Sequence, residues 1–142
     1  MPIDVKNPVQ LLRAVPLFSA CTTREVRVLL KIAHRRTIEA GSVLADENAR
    51  DETFYAIVDG TVRVSKGRRT LATFGPGDFV GELAVLDPGP RTATVTATSD
   101  LEVYAIEGPA LRDLLLEAPE ICVKLLQGLA RRLRVTDKSI KD

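Results

Sequence analysis

The chain has 142 residues, 45% of them apolar, which suits one folded domain with a modest core. Its 20 basic and 19 acidic residues nearly cancel, so no overall field draws it to nucleic acid or an anionic membrane. No apolar run reaches membrane-spanning length, the first ten residues carry no secretory pattern, and the two distant cysteines, Cys21 and Cys122, form no metal motif. Two reduced thiols point to the cytoplasm.

In chain order, Val9 to Val15 is a short apolar stretch closed by Pro16. Thr22 or Thr23 caps a helix expected to run to about His34, with Val26, Leu29, Leu30 and Ala33 at helical spacing. From Arg35 to about Glu107 the pattern becomes short alternating runs bounded by turn residues. Asp59-Gly60 reads as a two-residue hairpin turn between Ile57-Val58 and Thr61-Val62. Lys66-Gly67 is a second turn, and Gly75-Pro76-Gly77 a corner. Strands of this length and spacing predict a sandwich or barrel. After Gly108-Pro109 the chain is helical: Leu111, Leu114 and Leu115 form one stripe that stops near Ala118-Pro119, and a last helix runs from Glu120 to about Lys138. The whole is a single α+β unit over 1–142, with helices in 8–35, strands in 36–107 and C-terminal helices in 109–138.

Residues 81–97, GELAVLDPGPRTATVTA, carry the most chemistry. Gly81 and Glu82 open a short apolar helical turn whose first amides, at Leu83 and Ala84, point outward and can bind anionic oxygens. The tight Asp87-Pro88-Gly89-Pro90 loop leads to Arg91, a forked cationic donor suited to phosphate. Glu82 cannot bind a phosphate but accepts from a sugar hydroxyl. Arg91 shares strand parity with Ala93, Val95 and Ala97, the small apolar face, and so points inward. An inward arginine needs an anion, either a ligand phosphate or an ion pair with Glu82.

This stretch resembles the phosphate-binding cassette of cyclic nucleotide-binding domains, the family of bacterial catabolite activators, cyclic-nucleotide-dependent kinases and gated channels. The family pattern is F-G-E-L-A-L, a short loop, then P-R-[TSA]-A-x-V-x-A. Here it stands as residues 80–85, VGELAV, and 90–97, PRTATVTA, with Val80 in place of the commonest Phe. The resemblance runs from about Phe18 to the C-terminus. It implies an antiparallel, jelly-roll-like β-roll flanked by helices, with the cassette at 80–97. The ligand is then a cyclic purine nucleotide and no cofactor or metal is required. The resemblance gives Arg91 the cyclic phosphate and Glu82 the ribose 2′-hydroxyl. Gly81 becomes the place where a side chain would crowd the ribose or nearby backbone.

Thr92 lies where loop becomes strand. The family places Thr, Ser or Ala there, near the phosphate or base, and a hydroxyl admits either adenine or guanine. The segment from Leu129 to Thr136 resembles the long dimer helix of catabolite activators, so Thr136 and Asp137 fall on the polar pair that meets the purine. Thr-Asp replaces the family's Thr-Ser, and Asp137 accepts from adenine or guanine. The helix leans the reading to cAMP over cGMP. Cys122, Leu126, Leu129, Leu133, Thr136 and Ile140 step by four and three, a heptad-like seam that serves either a homodimer or packing on the chain's own strands. Arg131, Arg132 and Arg134 invite a nucleic-acid reading, which is set aside because no helix-turn-helix follows.

The expectation is a non-enzymatic sensor that moves its last helix on binding and is read by an effector protein not encoded in the chain. A jelly-roll metalloenzyme needs several His or carboxylate ligands, whereas the one histidine, His34, falls on a predicted helix. Haem or cluster sensing lacks its His or Cys ligands. A ligand-free interaction scaffold remains the alternative from another class, distinguished by the absence of nucleotide-dependent stabilisation.

Overall fold

The computed structural model describes residues 3–141, and their side chains as far as Val135. Eight strands form two four-stranded sheets. β1 (Ala33–Ile38), β8 (Leu101–Glu107), β3 (Thr53–Asp59) and β6 (Phe79–Val80) make one, in that order. β2 (Val43–Ala45), β7 (Thr94–Ala97), β4 (Val62–Lys66) and β5 (Arg69–Phe74) make the other. All the pairings are antiparallel, and with the helices they give an α+β β-roll.

Two apolar clusters hold the layers. Tyr55, Ile57, Val62, Val95, Leu101 and Val103 fill the space between the sheets. Phe54, Ala56, Val58 and Ile106 face the other way, against Leu11, Phe18, Leu29, Leu111, Ile121 and Leu125 of the helical layer. β3 is therefore buried on both faces, and successive side chains serve different cores. Phe18 meets Phe54 edge to face at 5.5 Å between centroids.

The N-terminal helices are α1 (Pro8–Arg13) and α2 (Thr23–Leu30), joined through a 3₁₀ helix at Pro16–Phe18. Thr22 caps α2 as expected: its hydroxyl accepts from the Glu25 amide at 3.2 Å, and the Glu25 carboxylate accepts from the Thr22 amide at 2.8 Å. The helix does not reach His34. It ends at Leu30, and Ala33 and His34 open β1, opposite Ile106 and Ala105. Ala33 had matched the helical spacing, but pairing with β8 overrides that local signal. Cys21 is buried behind α2, and burial, then Glu25, pushes its thiol up to about 11.

The Asp59-Gly60 hairpin is also corrected. β3 and β4 lie in different sheets and do not pair. Asp59 still faces Glu102 of β8, and at Gly60, φ +92°, the chain crosses to the other sheet. A Cβ there would sit 2.3 Å from the Asp100 carbonyl oxygen. The dipeptide announced a positive φ, which a sheet-to-sheet corner needs as much as a hairpin does. Lys66-Gly67 does join a paired hairpin, β4 to β5.

Two helices follow the strands, α3 (Gly108–Glu117) and α4 (Pro119–Lys141). Ile121 and Leu125 anchor α4 in the core. At Gly128 the helix meets the 3₁₀ turn backbone to backbone, and a Cβ would lie 2.6 Å from the Pro16 carbonyl oxygen. Of the proposed seam, Leu129 packs against the chain's own core, whereas Leu126 and Leu133 are about 60% exposed. With Val123 and Ala130 they form an outer stripe, and Thr136 and Ile140 lie outside the described side chains.

Candidate functional site

Gly81 leaves β6 with φ +84°, and a Cβ on it would meet the Thr53 carbonyl oxygen at 2.4 Å and both terminal nitrogens of Arg91 at 3.2 Å. Glycine is needed for the backbone and for the closeness of that arginine. The chain then coils through 82–86, with the Val85 amide donating to the Gly81 carbonyl and the Asp87 amide to that of Leu83. This is a turn rather than a regular helix. Val85 is buried and pins it to the core. The amides of Glu82, Leu83 and Ala84 find no acceptor among the described residues and remain available to an anion.

The Asp87–Pro90 loop delivers Arg91 opposite these amides. Its backbone is clamped by the 48–50 segment: the Arg91 amide donates to Ala49, and Asn48 donates to the Arg91 carbonyl. Its side chain is 11% exposed; Nη2 donates to the Thr53 carbonyl at 2.9 Å and lies 3.6 Å from Asp51. Nε is buried without a partner among the described residues. A buried guanidinium N–H left open is costly, and an anion oxygen at that place would satisfy it. The ion pair with Glu82 that the sequence allowed does not form.

Glu82 is instead committed elsewhere. Its side chain is buried; one oxygen accepts from the Leu17 amide at 2.7 Å and the other pairs with Arg132 of α4. One carboxylate thus ties the cleft to the 3₁₀ turn and to the last helix. The sequence reading missed Arg132 as part of the cleft. The available signal was its place one turn before Thr136, on the same helical face.

Gly81, Glu82, Leu83, Ala84, Arg91 and Thr92 all line one open cavity of ≈ 410 Å³, with Arg132 at its edge. A second hollow of ≈ 230 Å³ continues from it past Gly81, Arg91 and Thr92, toward Val64, Phe74 and Val95 inside the roll. One end thus offers a cation and free amides, the other an apolar wall. Such a pair suits an anionic group joined to a flat, largely apolar ring. Thr92 is exposed and lines both parts. Thr136 and Asp137 sit on the last turns of α4, but their side chains lie outside the described residues. Among the described residues, no three His, Cys, Asp or Glu side chains are grouped to hold a metal ion, and no helix is long and apolar enough to cross a membrane.

Residues 35–118 match the family model of the cyclic nucleotide-binding domain. The chain is 31% identical over 138 residues to the CRP-like cAMP-activated global transcriptional regulator of Mycobacterium tuberculosis, covering 94% of this chain and 62% of that protein. It is 32% identical over 123 residues to the cAMP-dependent protein kinase regulatory subunit of Hypocrea atroviridis, covering 87% of this chain and 25% of that one. The chain therefore spans less than two thirds of the length of these relatives. Among solved structures, the N-terminal domain of a transcriptional regulator from Streptomyces coelicolor superposes with a TM-score of 0.82 at 32% identity, covering 92% of this chain and 94% of that one.

Proposed function

The chain belongs to the cyclic nucleotide-binding domain family, and from that membership we propose that its cleft takes a purine 3′,5′-cyclic nucleotide, cAMP in preference to cGMP, as a signal rather than a substrate. The observation that carries the reading is Arg91: a buried, partnerless Nε set across from three open amides. The cyclic phosphate sits between them, the ribose 2′-hydroxyl reaches Glu82, and the purine lies along Val64, Phe74 and Val95. Thr92, Thr136 and Asp137 are the groups that read the base. The preference for cAMP rests on the likeness of α4 to the catabolite-activator helix and on relatives named for cAMP.

Signal output follows from Glu82. A ribose hydroxyl arriving there must share the carboxylate with Arg132, so occupancy acts directly on α4. An effector protein then reads the helix. The cytoplasm is the compartment we propose, since Cys21 and Cys122 stand unpaired.

A thermal melt tests the binding. Ligand at about 100 times its dissociation constant adds about 2.7 kcal/mol, a rise of order 10 °C for a chain of this size. The nucleotide should be recovered unchanged by chromatography after long incubation. Equal melts with and without millimolar cAMP or cGMP would leave the interaction-scaffold reading in its place.

The outer stripe of α4 supports a homodimer. Val123, Leu126, Ala130 and Leu133 are exposed at three-four-three spacing, the seam of a two-helix coiled coil. Glu substitutions at Leu126 and Leu133 should convert a dimer to monomers in equilibrium sedimentation and lower the melt only by what association adds, leaving it independent of protein concentration, because neither side chain enters the core. A monomeric parent chain, or a variant that still dimerises, would remove this partner.

A further inference from the structure

A cavity of ≈ 500 Å³ lies between α1 and α2, and it shares no lining residue with the nucleotide cleft. Its charged lining is of one sign: Arg13 from the last turn of α1 and Arg27 from α2. Neither guanidinium has a hydrogen-bond or carboxylate partner among the described residues. The side-chain oxygens of Asn7 and Gln10 are already engaged within the chain. Asn7 Oδ1 caps α1, accepting from the Val9 and Gln10 amides at 3.0 and 3.3 Å. Gln10 Oε1 accepts from the Asp4 amide at 3.0 Å. The NH₂ groups of Asn7 and Gln10 donate to nothing among the described residues and are open to an acceptor. Asp4 is the nearby acid, but its carboxylate accepts from the Lys6 amide and does not line the cavity. Ile3, Val9 and Ala14 are the apolar part of its lining.

A neighbouring hollow makes the contrast. It sets Arg24 and Lys124 against Glu25 and Glu120, so its charges balance within the chain. The α1–α2 cavity has no such internal answer. Arg13, Arg27, Asn7, Gln10 and Thr23 line a space whose lining includes no carboxylate among the described residues. That composition concentrates anions, and its apolar residues reward an attached hydrocarbon.

We propose that this cavity is a second ligand site, for a small phosphate or carboxylate anion bearing a short apolar body. Two guanidiniums hold the anionic head, and the carbon body lies on Ile3, Val9 and Ala14. The site stands independently of the nucleotide reading, since it uses none of the same side chains.

Backbone amide NMR on the full chain separates the two places. Inorganic phosphate, hexyl phosphate and hexanoate are titrated in turn, with shifts followed at residues 9–14 and 23–27 and, separately, at 81–92. Hexyl phosphate should produce saturating shifts in the first group and bind more tightly than inorganic phosphate, by about fourfold for each methylene buried. Hexanoate saturating as well as hexyl phosphate would show that charge and apolar body suffice; weaker hexanoate binding would assign the site to phosphate. The double variant Arg13→Gln/Arg27→Gln should keep a dispersed spectrum, because both side chains are exposed, and lose at least about tenfold in affinity at the first group only. The proposal is overturned if shifts stay confined to 81–92, if none saturates by about 20 mM, or if the double variant binds as the parent does.

Discussion

Replacing Arg91 with alanine should weaken cyclic nucleotide binding by about 2–5 kcal/mol, the largest single loss the cleft can show. The side chain is held by the Thr53 carbonyl and by Asp51, so it is placed before ligand arrives. Little ordering remains to oppose binding, and the full charge-assisted interaction is realised. The empty protein should tolerate the change. It loses one backbone contact and a loose ion pair, and sheds an N–H that was buried without a partner. Titration of the variant alongside its denaturation curve checks both halves. Unchanged affinity would mean that the phosphate is held elsewhere.

Replacing Glu82 with alanine should act twice. Ligand affinity should fall by about 1–3 kcal/mol, since the partner hydroxyl is neutral. Stability of the empty chain should fall by a similar amount, about 1–3 kcal/mol, because the Leu17 amide is left in a buried place with no acceptor. Pairing with Arg132 adds little to that loss, as its side chain is 46% exposed. Glu82→Gln separates the roles. An amide oxygen can still accept from Leu17, so stability should stay within about 1 kcal/mol of the parent. The charge that holds Arg132 is gone, and α4 should become easier to exchange in hydrogen–deuterium measurements over its second half. Equal stability of the alanine variant and the parent would show that the Leu17 contact contributes nothing.

The double role of Glu82 marks what the sequence could and could not reveal. Residues 80–97 were legible because each local requirement has a residue signature: glycine for a positive φ and close approach, arginine for an inward anion, alternation for the strand that follows. Leu17 and Arg132 were not legible, since they reach Glu82 across 65 and 50 residues of chain. Only the docking of the 3₁₀ turn and α4 brings them together, and Gly128, whose bare backbone permits that docking, looks like any helical glycine in the sequence. The fold shows the same division. Thr22 and Glu25 announced the start of α2 through a local capping box, but its end was set by β8 pairing with Ala33 and His34. Asp59-Gly60 announced a turn, but whether the next strand stays in the sheet depends on contacts made with Ser99 and Asp100, some 40 residues away.

The central claim is that the cleft around Arg91 binds the cyclic phosphate of a purine nucleotide. Titration calorimetry of the chain with cAMP, cGMP and 5′-AMP tests it most directly. The account predicts saturable binding of one cAMP per chain, weaker binding of cGMP, and much weaker binding of 5′-AMP, whose open phosphate lacks the shape held between Arg91 and the 82–84 amides. Absence of saturable heat from either cyclic nucleotide at millimolar concentration, or 5′-AMP binding as tightly as cAMP, would contradict it.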